Sequence, residues 1–537
     1  MKTPSGHIDD FCARHFPAPE LLPQIFYTQP ELQYRNRLNC AVELLDRAVG
    51  RGWGARTAVI HEGGTWTYAE LLDRANQLAN VLVDELELVP GNRVLLRATN
   101  QPMLVACWFA VLKAGGVPVT TSPMLRVREL TAISEKAEIS LALSDARVAE
   151  ECEAAFHAQG GRVVSFHTDA PGSLESMMAD APTQFTNRDT SAEDTAILAF
   201  TSGTTGRPKA TIHTHRDIMA GADCFSTFIL EPIADDIFIG SPPLAFTYGL
   251  GGLLLFPLRH GAATVMLERC TPRDLLEAID KYKVTVVFTA PTAYRAMLKE
   301  LLPARVTTLR KCVSAGESLP ARTFEQWRER TGINIIDGIG STEMLHMFIS
   351  ARDVEMRAGS TGKPVPGYEA AILDNAGNPL PTGEIGHLAV RGCTGCKYLD
   401  DLEQQRKYVR NGWNLTGDSY RVDEEGYYWY QSRTDDMIIS SGYNISGTEI
   451  EHVLLDHRKV AECAVVGVPD EDRGQLVKAF IVPAGGVEPC EELKKELQDW
   501  VKSQIAPYKY PRAVEFVSAL PKTTTGKLQR FQLRQQR

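Results

Sequence analysis

The chain has no long apolar run, no excess of positive charge and no internal repeat, and each absence removes a class of function. Its most apolar stretches, GLGGLLLFPL and the run from Leu104, are stopped by Pro257 and interrupted by Lys113, short of the ~18 residues a membrane span needs. No membrane partner is expected. The formal net charge of -10, from 57 Lys and Arg against 67 Asp and Glu, argues against a nucleic-acid partner, because affinity for a phosphate backbone needs concentrated positive charge. A small polyanion would need local cations. The opening stretch MKTPSGHIDDFCARHF carries Asp9 and Asp10 and lacks the apolar centre of a signal peptide, so a cytoplasmic setting is expected. The 11 cysteines, an odd number in surroundings such as VACWFAVL and AECAVVGV, read as free core thiols. Cys393 and Cys396 form a lone CxxC without further ligands at matched spacing, which argues against zinc or redox chemistry there.

What remains is an ordinary globular composition, 44% hydrophobic and 23% charged over 537 residues. At roughly 100–200 residues per domain, that length implies several units. Thr67-Tyr68-Ala69-Glu70 reads as a capping box, and Leu71, Leu72, Ala75, Leu78, Ala79 and Leu82 then recur at helical spacing, predicting a helix over Tyr68 to Asp84. Arg93 to Arg97 as strand, an apolar helix through Leu112, a stop at Ala114-Gly115-Gly116 and Val117 to Val119 as strand make a βαβ pattern. The alternation returns with strands at 262–267 and 284–289 and helices at 272–281 and 291–302. Parallel sheets covered by helices are expected. After Pro366 short strands and turns suggest a smaller β-rich unit, and from Met437 a compact α+β segment runs to Arg537.

TSGTTGRPKA, from Thr201 to Ala210, follows the apolar stretch Ala196 to Phe200. Gly203 and Gly206 let backbone approach an anion, Thr201, Ser202, Thr204 and Thr205 offer hydroxyl donors, and Lys209 brings a cation. These parts suit a triphosphate, although ten residues alone leave a polar surface loop as an alternative. A nucleotide P-loop is ruled out: it needs Gly-Lys followed by Ser or Thr at a helix start, whereas Pro208 precedes Lys209 and Ala210 follows it.

Four further stretches decide between these readings: DGIGSTE (337–343), LTGDSY (415–420), SRTDDMIISSGYNISGTEIE (432–451) and PKTTTGKLQR (521–530). With the first, in this order and spacing, they resemble the adenylate-forming superfamily of acyl-CoA synthetases, adenylation domains and luciferases over nearly the whole chain. The resemblance implies an α/β fold: a large N-terminal domain (1–434) of two αβ-layered subdomains plus a β-barrel-like subdomain, and a small mobile α+β C-terminal domain (435–537). It implies ATP, Mg²⁺ and coenzyme A as cofactor and co-substrates. Thr201 to Lys209 would hold the outer phosphates and leave with pyrophosphate. Glu343 would be the Mg²⁺ ligand, since a hard cation beside phosphates wants a carboxylate oxygen. Thr342 would donate to the α-phosphate, with Gly340 and Ser341 beside it. Asp418 would accept the ribose hydroxyls, with Tyr430 and Arg433 lining the nucleoside. Gly316, Glu317, Ser318, Asp337, Gly338 and Ile339 would bracket adenine, Ile339 replacing a frequent Tyr. Lys527 would offset the charge that develops as a carboxylate attacks the α-phosphorus. Asp435 matches the hinge, and Ser441, Gly442 and Tyr443 the loop past which the pantetheine thiol reaches the acyl-adenylate. Arg473, Lys509 and Arg530 would meet coenzyme A phosphates, or else form a solvated face.

The acid pocket implied by the resemblance comprises Phe246, Tyr248, Gly249, Ala315 and His346. Phe246 with Tyr248-Gly249 and DGIGSTEMLHMF resembles benzoate-type CoA ligases more than fatty-acid or acetate enzymes, so an aromatic acid is the expected small-molecule partner. QPELQYRNRLNCAVELLDRAVGRGWGARTAVI is similar to 2-aminobenzoate-CoA ligases and points to 2-aminobenzoate. His346 would face an ortho substituent or pack beside the pocket. A fatty- or short-chain acyl-CoA synthetase and a carrier-loading adenylation enzyme share the ATP motifs and stand as alternatives, whereas a dead nucleotide-binding regulator should have lost Lys527 or Glu343. The sequence leaves the oligomeric state open, a homodimer included.

Overall fold

Runs such as Val286–Thr289 and Lys311–Ser314 are buried at every position, the pattern of strands covered on both faces, and they pair in parallel from Val286 opposite Lys311 to Thr289 opposite Ser314. They belong to a nine-stranded sheet whose central strands, Ile335–Gly340, Lys311–Ser314, Val286–Thr289, Ile237–Gly240, Ala263–Val265 and Thr57–His61, all run parallel. Helices Pro272–Tyr282, Pro291–Glu300 and Ala321–Thr331 lie in the crossovers between them. A computed structural model provides this architecture and describes residues 3–202, 208–317, 319–433, 437–521 and 530–535.

A second parallel sheet of four strands orders Val117–Thr121, Arg93–Arg97, Leu141–Asp145 and Arg162–Phe166. The helix that precedes it in the chain spans Tyr68–Asp84, and its capping box is present: the Glu70 N–H donates to Thr67 Oγ1 at 3.2 Å, and the Thr67 N–H donates to Glu70 Oε2 at 2.7 Å. An antiparallel sheet built from Tyr368–Leu373, Gly386–Gly392, Val409–Arg410, Trp413–Val422 and Tyr428–Arg433 forms the β-rich unit expected after Pro366.

The C-terminal domain has its own sheet of Tyr443–Ser446, Met437–Ser440, Gly474–Pro483, Val460–Asp470 and Ala513–Phe516. It also has a separate core, in which Ile438, Ile450, Val465, Ile481, Leu497 and Val514 are buried together. Among the described residues no helix is long and apolar enough to cross a membrane. The 11 cysteines are free and mostly buried; Cys490 is exposed and caps the helix Glu491–Gln504.

Candidate active site

Ligands of open parallel sheets gather where strands end at their carboxyl side. Four neighbouring strands of the large sheet deliver the site this way: Ile237–Gly240 leads into Ser241 to Phe246, Val286–Thr289 into Ala290, Lys311–Ser314 into Ala315 to Glu317, and Ile335–Gly340 into Ser341 to Glu343. The stretch holding Thr201 is a hairpin: Thr195–Ser202 pairs antiparallel with Pro208–Thr214, placing Thr201 opposite Lys209. At Lys209 the chain enters a strand, where a P-loop would begin a helix. Phosphate affinity here would therefore come from hydroxyls and a cation, without a helix dipole.

Two cavities meet at this point. One, of about 540 Å³, is lined by Thr201, Lys209, Thr342, Glu343 and Asp418. The other, of about 760 Å³, is lined by Phe246, Tyr248, Ala315, His346, Gly442 and Tyr443. Thr201, Gly340, Ser341 and Thr342 line both and form the wall between them. A polar cavity with cation and carboxylates thus abuts an aromatic one at the Gly340–Thr342 turn.

In the polar cavity Tyr398 donates its hydroxyl to Glu343 Oε1 at 2.7 Å, and Lys209 Nζ stands 5.8 Å from the Tyr398 ring centroid. Tyr408 bonds Ser341 Oγ at 3.2 Å. The sequence reading missed both tyrosines. Tyr398 arrives because residues 397–399 pair with the Lys209 strand, through Ile212 N–H to the Lys397 carbonyl and Leu399 N–H to the Ala210 carbonyl, each at 2.8 Å. No local motif announces that pairing. Among the described residues no group of three or more His, Cys, Asp or Glu side chains could hold a metal ion unaided. A nucleotide-sized cavity lined by Glu343 and Asp418 suits a hard cation that takes its remaining oxygens from a nucleotide and water.

His346 lines the aromatic cavity and packs against rings of the core behind it. Its ring lies 4.7 Å from Phe256, 5.5 Å from Phe225 and 5.8 Å from Tyr248, centroid to centroid. A Cβ on Gly251 would sit 2.3 Å from His346 Cδ2, so only glycine leaves room for the imidazole there. Both ring nitrogens are buried without a hydrogen bond, and burial pushes the pKa down to about 3, which keeps the ring neutral. Gly249 departs from the expected lining role. A Cβ there would come within 2.1 Å of the Pro243 carbonyl oxygen, so this glycine serves a close backbone approach and lines neither cavity.

Asp337 is buried, its Oδ1 lacks a hydrogen bond, and burial pushes its carboxyl well above the usual range. Gly338 packs so closely that a Cβ would lie 2.4 Å from Met347 Sδ, and Ile339 packs on the main core. Asp418 stands opposite Arg433 in strand register, and Tyr430 packs edge-on against Tyr420 at 5.5 Å, outside both cavities. Glu317 turns toward the C-terminal domain, accepting from the Gly442 N–H with Thr292 Oγ1 at 3.4 Å; burial raises its pKa to about 7. Gly316 (φ +89) and Gly442 (φ +80) face each other, a Cβ on the former lying 3.8 Å from the Cα of the latter. Arg473 donates to Ser441 Oγ at 3.2 Å, and both line the aromatic cavity. Gly203, Thr204, Thr205, Gly206, Ser318, Asp435 and Lys527 lie outside the described residues, as do the side chains of Ser202 and Arg433.

Lys509 and Arg530 correct the expectation that they meet coenzyme A phosphates or form a solvated face. Lys509 is 4% exposed and bonds Glu129 Oε1 at 2.5 Å and Glu449 Oε1 at 2.9 Å, while the Ala506 N–H donates to Glu129 Oε2 at 2.9 Å. Two carboxylates in a buried setting hold this ammonium more tightly than solvent could. Arg530 pairs with Glu451 at 2.7 Å. Glu129 belongs to the large domain, so the Lys509 cluster joins the two domains. Tyr443, stacked on Tyr508 at 4.1 Å, also reaches across to Phe246 at 6.1 Å.

Comparison with known proteins places this geometry. Residues 45–397 match the family of AMP-binding enzymes, and residues 449–527 match the AMP-binding enzyme C-terminal domain. Benzoate–CoA ligase of Thauera aromatica is 37% identical over 521 residues, covering 94% of this chain and 98% of that protein. The anthranilate CoA ligase AuaEII, solved with anthranoyl-AMP, is 34% identical with a TM-score of 0.72, covering 94% and 98%. A double mutant of o-succinylbenzoate CoA synthetase from Bacillus subtilis, solved with a product analogue, is 26% identical but superposes with a TM-score of 0.83, covering 93% and 98%. The chain belongs to the AMP-binding enzyme family, is an AMP-forming acid–CoA ligase that uses ATP and coenzyme A, and stands in the aryl-CoA ligase branch of the adenylate-forming superfamily.

Proposed function

We propose that this ligase activates an aromatic acid of the benzoate type, 2-aminobenzoate in particular, as its acyl-adenylate and passes the acyl group to coenzyme A. The observation that carries this reading is the aromatic cavity opening onto the Gly340–Thr342 turn that it shares with the polar cavity. An aryl ring between Phe246 and Tyr248 makes favourable edge and offset contacts and brings its carboxylate to the shared wall. The neutral imidazole of His346, which lines this cavity, would face an ortho amino substituent. The relatives named for benzoate and anthranilate agree with this choice of acid.

In the first step the carboxylate oxygen bonds to the α-phosphorus as the bond to pyrophosphate breaks. Thr342 donates to the α-phosphate, Lys209 and the hairpin hydroxyls hold the departing phosphates, Asp418 holds the ribose and Lys527 offsets the developing charge. Glu343 would hold Mg²⁺, which when bound neutralises phosphate charge. In the second step the coenzyme A thiol loses its proton and attacks the acyl carbon, and AMP leaves. The apposition of Gly442 with Gly316 supports a pose in which the C-terminal domain serves this second step. Division of the chain into 1–434 and 435–537, with Asp435 as hinge, fits the separate core of the C-terminal domain.

The test is acid-dependent exchange of labelled pyrophosphate with ATP, followed by thioester formation across benzoate, 2-aminobenzoate, hydroxybenzoates, phenylacetate and short aliphatic acids. The highest kcat/KM is expected for 2-aminobenzoate. An aliphatic acid in first place overturns the aromatic reading, and a phosphopantetheinyl carrier outperforming free coenzyme A overturns the acceptor.

A further inference from the structure

His213 has no part in the roles above, yet it is wholly buried and its Nε2 bonds the carbonyl oxygen of Thr342 at 2.8 Å. It lies on the hairpin strand that carries Lys209, four residues further along. Thr342 belongs to the turn Thr342–Met344, and the residue after that turn, Leu345, adopts φ +71 and ψ -48. A leucine in that region is strained, and such strain persists only where the surroundings over-determine it. They do so here. Leu345 is buried in space left by Gly221, whose Cβ would lie 2.5 Å from Leu345 Cδ2. Tyr398 bonds Glu343, Thr394 donates to the Met344 carbonyl at 2.7 Å, and Tyr408 bonds Ser341.

Those three tethers all come from residues 394–408; His213 alone of the four ties the turn to the Lys209 hairpin. Its Nδ1 has no hydrogen-bond partner, so the ring's one bond is to the turn. A histidine kept only for packing would need no bond that spans these two elements. Close to it lies the buried ion pair of Lys397 with Asp217, and Asp217 also caps the helix His215–Phe225 through Thr214, which fixes the backbone immediately after the ring.

We propose that His213 is a positioning residue for the nucleotide half-reaction: through the Thr342 carbonyl it sets the spacing between the hairpin bearing Lys209 and the turn bearing Thr342 and Glu343, so that both grip one triphosphate. This rests on the nucleotide roles given under Proposed function. The two elements lie in different parts of the chain, and an error of an ångström between them weakens a reaction that depends on orientation.

The experiment compares His213→Leu, which removes the donor, with His213→Gln, whose amide nitrogen reaches the place of Nε2. Pyrophosphate exchange is measured against ATP concentration, thioester formation is measured from supplied 2-aminobenzoyl-adenylate, and Tm is recorded for each protein. His213→Leu is expected to slow exchange about tenfold or more, in kcat rather than in KM for the acid. Thioester formation should stay within about twofold, and Gln should recover most of the lost exchange. Equal losses for Leu and Gln, or parallel losses in both half-reactions that track Tm, would overturn the positioning role. If the Leu variant does not fold, His213→Asn, whose amide stops short of the carbonyl, takes its place with the same expectation. Exchange unchanged in the variant sinks this proposal alone, whereas no exchange by the unmodified enzyme with any acid sinks the nucleotide reading beneath it.

Discussion

Lys509→Met tests whether the buried cluster at the domain junction holds the pose for thiol transfer. Burial opposes charge on Lys509, but Tyr508, Glu449 and Glu129 more than offset this and hold its ammonium above the ordinary value. Methionine keeps the apolar stem and removes the cation, leaving Glu129 and Glu449 facing each other with side chains only 9% and 14% exposed. Breaking a buried ion pair by deleting one partner typically costs about 3–5 kcal/mol. Because Glu129 sits on one domain and the other two residues on the second, undocking relieves that cost without unfolding either core. The penalty should therefore appear as a docking equilibrium shifted by roughly 100-fold or more, at about 1.4 kcal/mol per tenfold. The assay separates the half-reactions: pyrophosphate exchange for adenylation, and release of coenzyme A thioester from supplied acyl-adenylate for transfer. Transfer is expected to fall about 100-fold while exchange stays within about threefold. Equal loss in both, or none in either, would refute the reasoning, and Glu129→Gln should weaken the same half-reaction more mildly because it keeps an acceptor for the Ala506 N–H.

Lys527→Ala should produce the mirror image, removing adenylation by about 100-fold or more while thioester formation from supplied adenylate persists; equal loss of both steps contradicts the role given to Lys527. Gly442→Ala places a Cβ where φ is +80, a conformation costing an L-residue roughly 1–2 kcal/mol. Transfer should slow about tenfold, with exchange unaffected in a pyrophosphate assay. Acid should destabilise the fold: burial lowers His213 to about 4, and His215 and His346 to about 3, from 6.5. The unfolded chain then binds protons that the folded one does not, so this stabilisation is complete above pH 6.5 and is lost as pH falls toward 3. Glu317, raised to about 7, and Asp337, held well above the usual carboxylate range, contribute with the opposite sign, but burial lowers His7 and His260 as well, so the histidines outnumber them. Tm should be lower at pH 5 than at pH 7.5, and a flat profile in scanning calorimetry would show these rings to be solvated.

Much of the fold was legible along the chain because its signals are local. The Thr67 capping box fixed the start of a helix, fully apolar runs marked strands covered on both faces, and the failure of TSGTTGRPKA to meet the P-loop pattern at Pro208 and Ala210 agrees with the strand that begins there. Ten buried or half-buried cysteines followed from their apolar neighbours. The misreadings concern contacts that no local signal records. Lys509 looked like a basic tail residue, and only the approach of Glu129 from 380 positions away makes it a buried cation. Gly249 sat within a pocket motif, yet its missing Cβ makes room for the Pro243 carbonyl oxygen.

Residue types and their spacing determined by themselves that this chain builds parallel sheets, because propensity and periodicity act over a few residues; the expectation of adenylate chemistry came from the resemblance of its motifs to a known superfamily. Tertiary structure alone decided which groups meet. It joined Tyr398 to Glu343 and His213 to Thr342, set the aromatic cavity against the polar one at Gly340–Thr342, and closed Glu129 on Lys509. Burial and electrostatic pairing depend on distance in space, and sequence separation carries no record of it.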